Sequence, residues 1–316
     1  MKKRILGRTG IEVTELCFGA LPMGPIQKNL SIEENSRIIE LALKKGVNFI
    51  DTAEMYKTYE PIAIAIKNTG IRPIIASKSN KKTYEGMEAA VNEALELLNV
   101  DYIDIFHLHA AREGADAFEV YADALKCLVD MKKQGKIKAI GISTHSIAVT
   151  NIAAEHQLID VVFPIINMKG RGIIDGTKEE MIAAIKKVHK AGKGIYLMKV
   201  LAGGGLIRQY KQALEFAKSI EAYASIAIGM TSLEEVLYNV SYFSGEEVKD
   251  LSNSVASLKK ALVSRALCKS CGKCIATCPN KAINFDEEKK ASINKSLCIT
   301  CGYCTPVCPE FAIRVV

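Results

Sequence analysis

The chain has no tryptophan, and its aromatic content is 6%. A nucleic-acid interface combines clustered Lys/Arg with interleaved aromatics. Here the net charge of +7 is spread along 316 residues without a long basic block, so a solvated surface is the expectation and a nucleic-acid partner is not. Long apolar runs are missing too. No stretch reaches the roughly 18 uninterrupted apolar residues of a membrane-spanning helix. The opening M-K-K-R-I-L-G-R-T-G lacks an apolar run of signal-peptide length. A cytoplasmic protein without a membrane partner is expected.

Cysteine, by contrast, is plentiful. Ten cysteines in a reducing compartment point to metal or redox chemistry rather than to disulfides. Eight lie in two copies of C-x2-C-x2-C-x3-C-P, Cys268 to Pro279 and Cys298 to Pro309. This is the spacing of bacterial two-cluster ferredoxins, in which each [4Fe–4S] cluster takes three thiolates from one run and the fourth from the other. Cys268, Cys271, Cys274 and Cys308 are expected to hold one cluster. Cys298, Cys301, Cys304 and Cys278 are expected to hold the second. Two crossed runs let about 50 residues fold around inorganic cores with almost no apolar core of their own. Zinc also takes C-x2-C pairs, but the duplicated pattern with both prolines argues for iron–sulfur. Cys17 and Cys127 read as ordinary buried residues.

The first 245 residues have a different texture. Eight strand-like runs alternate with helix-period segments: E-L-C-F-G, N-F-I-D-T-A, P-I-I-A-S-K, Y-I-D-I-F-H-L-H, A-I-G-I-S-T, V-V-F-P-I-I-N, G-I-Y-L-M-K-V and S-I-A-I-G-M. Ser31 and Glu34 form a capping-box pattern ahead of a helix that closes on Gly46. Repeated strand-then-helix units give parallel strands with right-handed crossovers. The economical closure is a (β/α)8 TIM barrel, whose usual size this length fits; a doubly wound open sheet is the alternative. K-R-I-L-G-R-T-G-I-E-V-T reads as a hairpin turning at Thr9-Gly10 under the barrel bottom.

The expected organisation is a barrel over 1–245, a connecting helix over 246–264 and a small α+β ferredoxin-like domain over 265–316. A helix of about 19 residues spans about 28 Å, roughly the height of a barrel. It would return the chain to the top, where barrel active sites lie. The cysteine domain is therefore expected beside the active-site mouth.

Four polar side chains fall at the ends of three consecutive strands. They are Asp51 and Tyr56 in D-T-A-E-M-Y, Lys78 in A-S-K and His109 in F-H-L-H. Consecutive strand ends are neighbours at the barrel top, so the four groups can converge. A phenol near pKa 10 is a weak acid at neutral pH. An ammonium beside it would lower that value, a carboxylate would orient the ammonium, and an imidazole would orient a carbonyl or relay its proton. His107, two residues before His109, points into the barrel one layer lower, as a core residue or as a support for the site.

These segments, from L-G-R-T-G-I-E-V-T to about Asn239, resemble the aldo-keto reductases. The whole chain resembles the subgroup of that family with a C-terminal two-cluster ferredoxin domain. The resemblance implies that Asp51, Tyr56, Lys78 and His109 form a catalytic tetrad. In it the Tyr protonates a carbonyl oxygen as hydride arrives from NAD(P)H. It implies nicotinamide contacts from Ser143, Thr144 and Asn167, phosphate contacts from the loop M-K-V-L-A-G-G-G-L through Lys199, Leu201 and Gly203, and adenosine contacts from Gly229, Glu235 and Asn239. The match to the cofactor bed is imperfect. Phe163 and Ile166 stand where the family has a Gln and a Tyr, Thr144 where Asn is usual, and Lys199 where Ser is usual. Residues that could line the pocket are Tyr59, Tyr84 and the loop L-P-M-G-P-I-Q-K.

The function expected is reduction of a small-molecule carbonyl, or oxidation of the alcohol, with the clusters transferring electrons or serving structure. One alternative is a ferredoxin-linked oxidoreductase whose clusters feed a flavin or the substrate directly, with a redox partner protein. The other is a non-enzymatic electron-transfer or docking module.

Overall fold

The computed structural model describes residues 1–246, 259–298 and 301–316. The hairpin pairs β1 (Lys3–Ile5) with β2 (Glu12–Thr14), and Gly10 takes the left-handed conformation at φ 73° that its turn requires. Its Leu6 is fully buried, and the Arg8 amide donates to the Gly192 carbonyl. The hairpin thus closes the end of the barrel where strands begin.

The barrel strands are β3 (Leu16–Gly19), β4 (Phe49–Asp51), β5 (Ile74–Ser79), β6 (Ile103–Ala110), β7 (Ile137–Thr144), β8 (Val161–Pro164), β9 (Gly194–Leu197) and β10 (Ser225–Gly229). They pair in parallel in that order and close through β10 against β3. All eight strand segments read from the sequence are present. Alternating buried residues fill the lumen and the strand–helix interface. The helix Ile32–Lys44 starts on the Ser31/Glu34 capping box, and Thr177/Glu180 repeats the device at Lys178–Lys190. Such reciprocal caps satisfy amide donors that a helix start otherwise leaves unpaired.

The helix expected over 246–264 falls largely on residues 247–258, outside those described. Its final part is corrected: Ala261–Val263 is a strand, β11, antiparallel to β14 (Ile313–Val315). The A-L-V run suits a helix period when read forward, but its pairing partner lies at the other end of the small domain. Main-chain bonds between Lys260 and Val316 extend the same ladder. A second hairpin pairs β12 (Ile283–Phe285) with β13 (Ala291–Ile293).

The small domain packs on the top of the barrel. The Arg112 guanidinium, three residues beyond His109, donates to the Glu310 carboxylate and, at 2.6 Å, to its carbonyl. A Cβ on Gly204, in the loop after β9, would lie 2.0 Å from the Val315 carbonyl oxygen, and Gly204 holds φ 88°. Only glycine permits this approach. Gly204→Ala combines a steric clash with a disfavoured backbone, at a cost of roughly 1–3 kcal/mol. The substitution is expected to lower the thermal midpoint and raise proteolysis at the domain junction. An unchanged midpoint and cleavage rate would contradict this packing.

Candidate active site and cluster cradles

The four strand-end residues converge. Asp51 ends β4, Tyr56 follows in the short 3-10 turn Glu54–Tyr56, and Lys78 and His109 are the penultimate residues of β5 and β6. The Lys78 ammonium donates to both Asp51 carboxylate oxygens and to the Thr52 carbonyl, each at 2.7 Å. Both side chains are almost fully buried. The same ammonium stands 4.8 Å from the centre of the Tyr56 ring. The His109 imidazole meets that ring edge-on at 6.2 Å.

Burial pushes the Asp51 carboxyl up and the Lys78 ammonium down. Each charge opposes the shift of the other, and the hydrogen bonds favour the ionised pair. Lys78 does not lower the Tyr56 phenol as expected: burial, reinforced by Asp51, raises it well above the usual range. The ammonium is committed to Asp51. The cation that pulls the phenol down is Arg314. His109 is pushed down to about 3 by burial, then by Lys78 and Lys199, so its imidazole is neutral at physiological pH.

His107 resolves as a support for the site. Its Nε2 is 2.7 Å from the Tyr196 hydroxyl, which donates to Asp51 Oδ2 at 2.9 Å. The single phenolic proton goes to the carboxylate, so His107 donates and carries its proton on Nε2. Burial holds His107 neutral. Tyr196, in G-I-Y-L, was not singled out by sequence, where it reads as an aromatic core residue. Its alternation with Gly194 on β9 is the only signal of an inward direction.

A continuous cavity of about 1110 Å3, open at its mouth, runs from Asp51 and Tyr56 to Tyr238 and Asn239. Lys199, Leu201, Gly203, Gly229, Glu235 and Asn239 all line it. Ser143, Thr144 and Asn167 do not. Ser143 is buried in β7. Thr144 Oγ1 accepts from the Ser146 amide, and the Asn167 amide is consumed by Lys169 and Arg171. Phe163 stacks on Tyr196 at 3.8 Å and presents an apolar ring. At the far end Glu235 pairs with Lys259, and the Tyr210 hydroxyl donates to Asn239. Of the residues expected to bind a dinucleotide, those at the phosphate and adenosine end therefore line the cavity and those expected at the carboxamide do not. Leu21, Pro22 and Gln27 of the first loop line it. Tyr59 and Tyr84 instead bond Ser77 and Asp130. Val315, Val316 and Arg314 of the small domain form one wall.

Each expected cysteine set lines its own cavity. Cys268, Cys271, Cys274 and Cys308 surround one of about 350 Å3. Cys278, Cys298, Cys301 and Cys304 surround one of about 370 Å3. Among the described residues no three ligating side chains close in on a single ion, whereas zinc requires sulfurs at about 2.3 Å. Four thiols around one cavity match the number of donors a cubane takes. Amides of Ala282 and Ala312 donate to Cys278 and Cys308 Sγ at 3.3 Å, and that of Ala291 donates to Cys268 Sγ at 3.5 Å. Such bonds stabilise thiolate ligands and tune a cluster's potential. Cys17 and Cys127 are buried in the barrel.

Tyr196→Phe removes the bonds to Asp51 and His107. It is expected to cost roughly 1–3 kcal/mol of stability and to lower turnover about tenfold or more by loosening Asp51. Wild-type stability and turnover in the variant would show that Lys78 alone positions the carboxylate.

The aldo/keto reductase family model matches residues 15–260, and a 4Fe-4S dicluster domain model matches 261–315. The L-galactose dehydrogenase of Arabidopsis thaliana is 23% identical over 75% of this chain and 86% of its own length. The methylglyoxal reductase of Escherichia coli is 29% identical over 54% of this chain and 64% of its own. An aldo-keto reductase structure from Bacillus halodurans superposes with a TM-score of 0.64 at 20% identity, covering 80% of this chain and 94% of that one. No helix among the described residues is long and apolar enough to cross a membrane. With its closed eight-stranded barrel and the family match over most of its length, the chain belongs to the aldo/keto reductase family and carries a C-terminal iron–sulfur domain, which makes it an oxidoreductase.

Proposed function

We propose that the chain interconverts a small-molecule carbonyl and its alcohol in the cavity beside Tyr56, with the cysteine domain exchanging electrons at that cavity. The observation that carries this reading is the Tyr56–Lys78–Asp51 arrangement at the inner end of a cavity long enough for a second reactant.

Reduction requires two electrons and two protons: the C=O π bond breaks, and C–H and O–H bonds form. Tyr56 supplies the proton to oxygen. Its hydroxyl makes no bond to a described side chain and lines the cavity, so it is free to donate to a carbonyl. Neutral His109 orients that carbonyl by hydrogen bonding. Asp51 and Lys78, fixed by Tyr196 and Thr52, form the floor under the phenol, and Arg314 is the cation that favours the phenolate left behind. A nicotinamide cofactor held by Leu201, Gly203, Gly229, Glu235 and Asn239 would supply the hydride. Two [4Fe–4S] clusters, held by Cys268, Cys271, Cys274 and Cys308 and by Cys298, Cys301, Cys304 and Cys278, would together store two single electrons, which with one proton from solvent equal one hydride.

A second reading has its own support. The Val315 carbonyl presses on the glycine loop, and the carboxamide contacts are missing. These features favour a ferredoxin-linked oxidoreductase fed from the clusters, with or without a flavin. Anaerobic titration with NADPH and NADH separates the two. Binding with substrate-dependent oxidation supports the first, and no binding supports the second.

Tyr56→Phe is expected to lower carbonyl reduction by about 10²–10⁴-fold while leaving cluster absorbance intact. Retained activity would remove Tyr56 from the proton path. With the phenol raised and His109 at about 3, the acid form of Tyr56 and the neutral form of His109 both persist from pH 5 to 8. Reduction is expected to be flat across that window. Alcohol oxidation, which needs the phenolate, is expected to climb with pH. An inflection of reduction near pH 6.5 would contradict the state assigned to His109.

A further inference from the structure

Two basic side chains line the cavity without an anion among the described residues to match them. Arg314 reaches it from β14, and Lys199 from the loop after β9. The Arg314 Nε is buried without a hydrogen-bond partner. Among the described residues neither side chain makes a hydrogen bond or ion pair. Nearby Asp51 is already spent on Lys78 and Tyr196. Glu235, at the far end, is tied to Lys259.

An arginine stays protonated in proteins, and a buried, unpaired charge costs several kcal/mol. Lys199 yields instead: burial, with Arg314 and Lys78 beside it, pushes its ammonium well down. Its backbone is also held at φ 60°, where a side chain is disfavoured. A well-packed fold would not gather these features for stability alone. They describe a cavity that becomes complete when an anion enters.

The position indicates what kind of anion. Arg314 and Lys199 line the same cavity as Asp51 and Tyr56, so both basic side chains are available to a ligand bound at the reacting end. At the glycine loop, where a nucleotide phosphate would approach, the Val315 carbonyl oxygen crowds Gly204 and the Arg314 side chain lies against Gly203. That oxygen is an acceptor and repels phosphate. We propose that Arg314 and Lys199 form a carboxylate-binding site, and that the substrate is a carbonyl or alcohol compound with a carboxylate next to the reacting carbon, of the 2-oxo acid or 2-hydroxy acid class. The placement of the reacting carbon rests on Tyr56 being the proton donor. A guanidinium accepts a carboxylate through two parallel hydrogen bonds, which fixes orientation as well as affinity. Because Arg314 belongs to the cysteine domain, the substrate site is built from both domains.

The test is calorimetry on the anaerobic holoprotein, with oxamate as a non-reducible 2-oxo acid analogue and oxamide as its neutral counterpart. Wild type is expected to bind oxamate at least about tenfold more tightly than oxamide. Arg314→Met and Lys199→Met are expected to weaken oxamate by about 10–100-fold and leave oxamide unchanged, while Arg314→Lys recovers part of the loss. Cluster absorbance reports whether each variant is assembled. If Arg314→Met is not, Lys199→Met carries the test. Tyr56→Phe is expected to keep oxamate binding, so a failure of the proton-donor assignment and a failure of the carboxylate site give different results. No oxamate binding by wild type overturns the proposal, as does equal binding by wild type and assembled variants. Loss of NADPH affinity in Arg314→Met with oxamate affinity intact assigns the guanidinium to a nucleotide phosphate and also overturns it.

Discussion

The C-terminal strand Ile313–Val315 carries two obligations at once. It is the ladder partner of Ala261–Val263 in the cysteine domain, and with Val316 it walls the cavity at the barrel mouth. The contact of the Val315 carbonyl with Gly204 has no room for a side chain, so the register of this strand fixes where the small domain sits. Cys308 lies upstream on the same segment and accepts from the Ala312 amide. A single stretch of chain therefore links Cys308 of the cysteine-lined cavity, the domain interface and a guanidinium in the barrel cavity. Arg112 and Glu310 fasten the other side of the interface just past His109.

Within the barrel the corresponding anchor is the buried Lys78–Asp51 pair. Burying two charges is costly unless geometry and further hydrogen bonds compensate. Thr52 and Tyr196 supply those bonds, and His107 fixes Tyr196 in turn. The chain of contacts explains why the phenol of Tyr56 sits over a positive charge without being ionised by it. Lys78 is neutralised locally, and the cation that acts on the phenol is Arg314.

Much of this was legible in the sequence because it is local. Strand and helix periods gave the barrel, and strand-end positions gave Asp51, Tyr56, Lys78 and His109 as neighbours. Cysteine spacing gave two ligand sets, each of which lines one cavity. What escaped depends on contacts distant in sequence. Tyr196 is an unremarked aromatic until β9 is set across the lumen from β4. Arg314 is one basic residue in a short tail until β14 is laid on the barrel mouth. The A-L-V segment reads as the end of a helix because its partner strand is 50 residues away. Ser143, Thr144 and Asn167 were carried over by resemblance, and local bonding or burial keeps them out of the cavity.

The central claim is that the iron–sulfur domain and the catalytic cavity form one redox unit. The most direct measurement is anaerobic. The clusters are reduced chemically, the reductant is removed, and a 2-oxo acid is added with and without NADPH while visible absorbance and alcohol product are followed together. The account predicts that the clusters re-oxidise as product forms, with about two electrons leaving the iron for each alcohol made. Clusters that stay reduced while NADPH-driven turnover proceeds at full rate would contradict it.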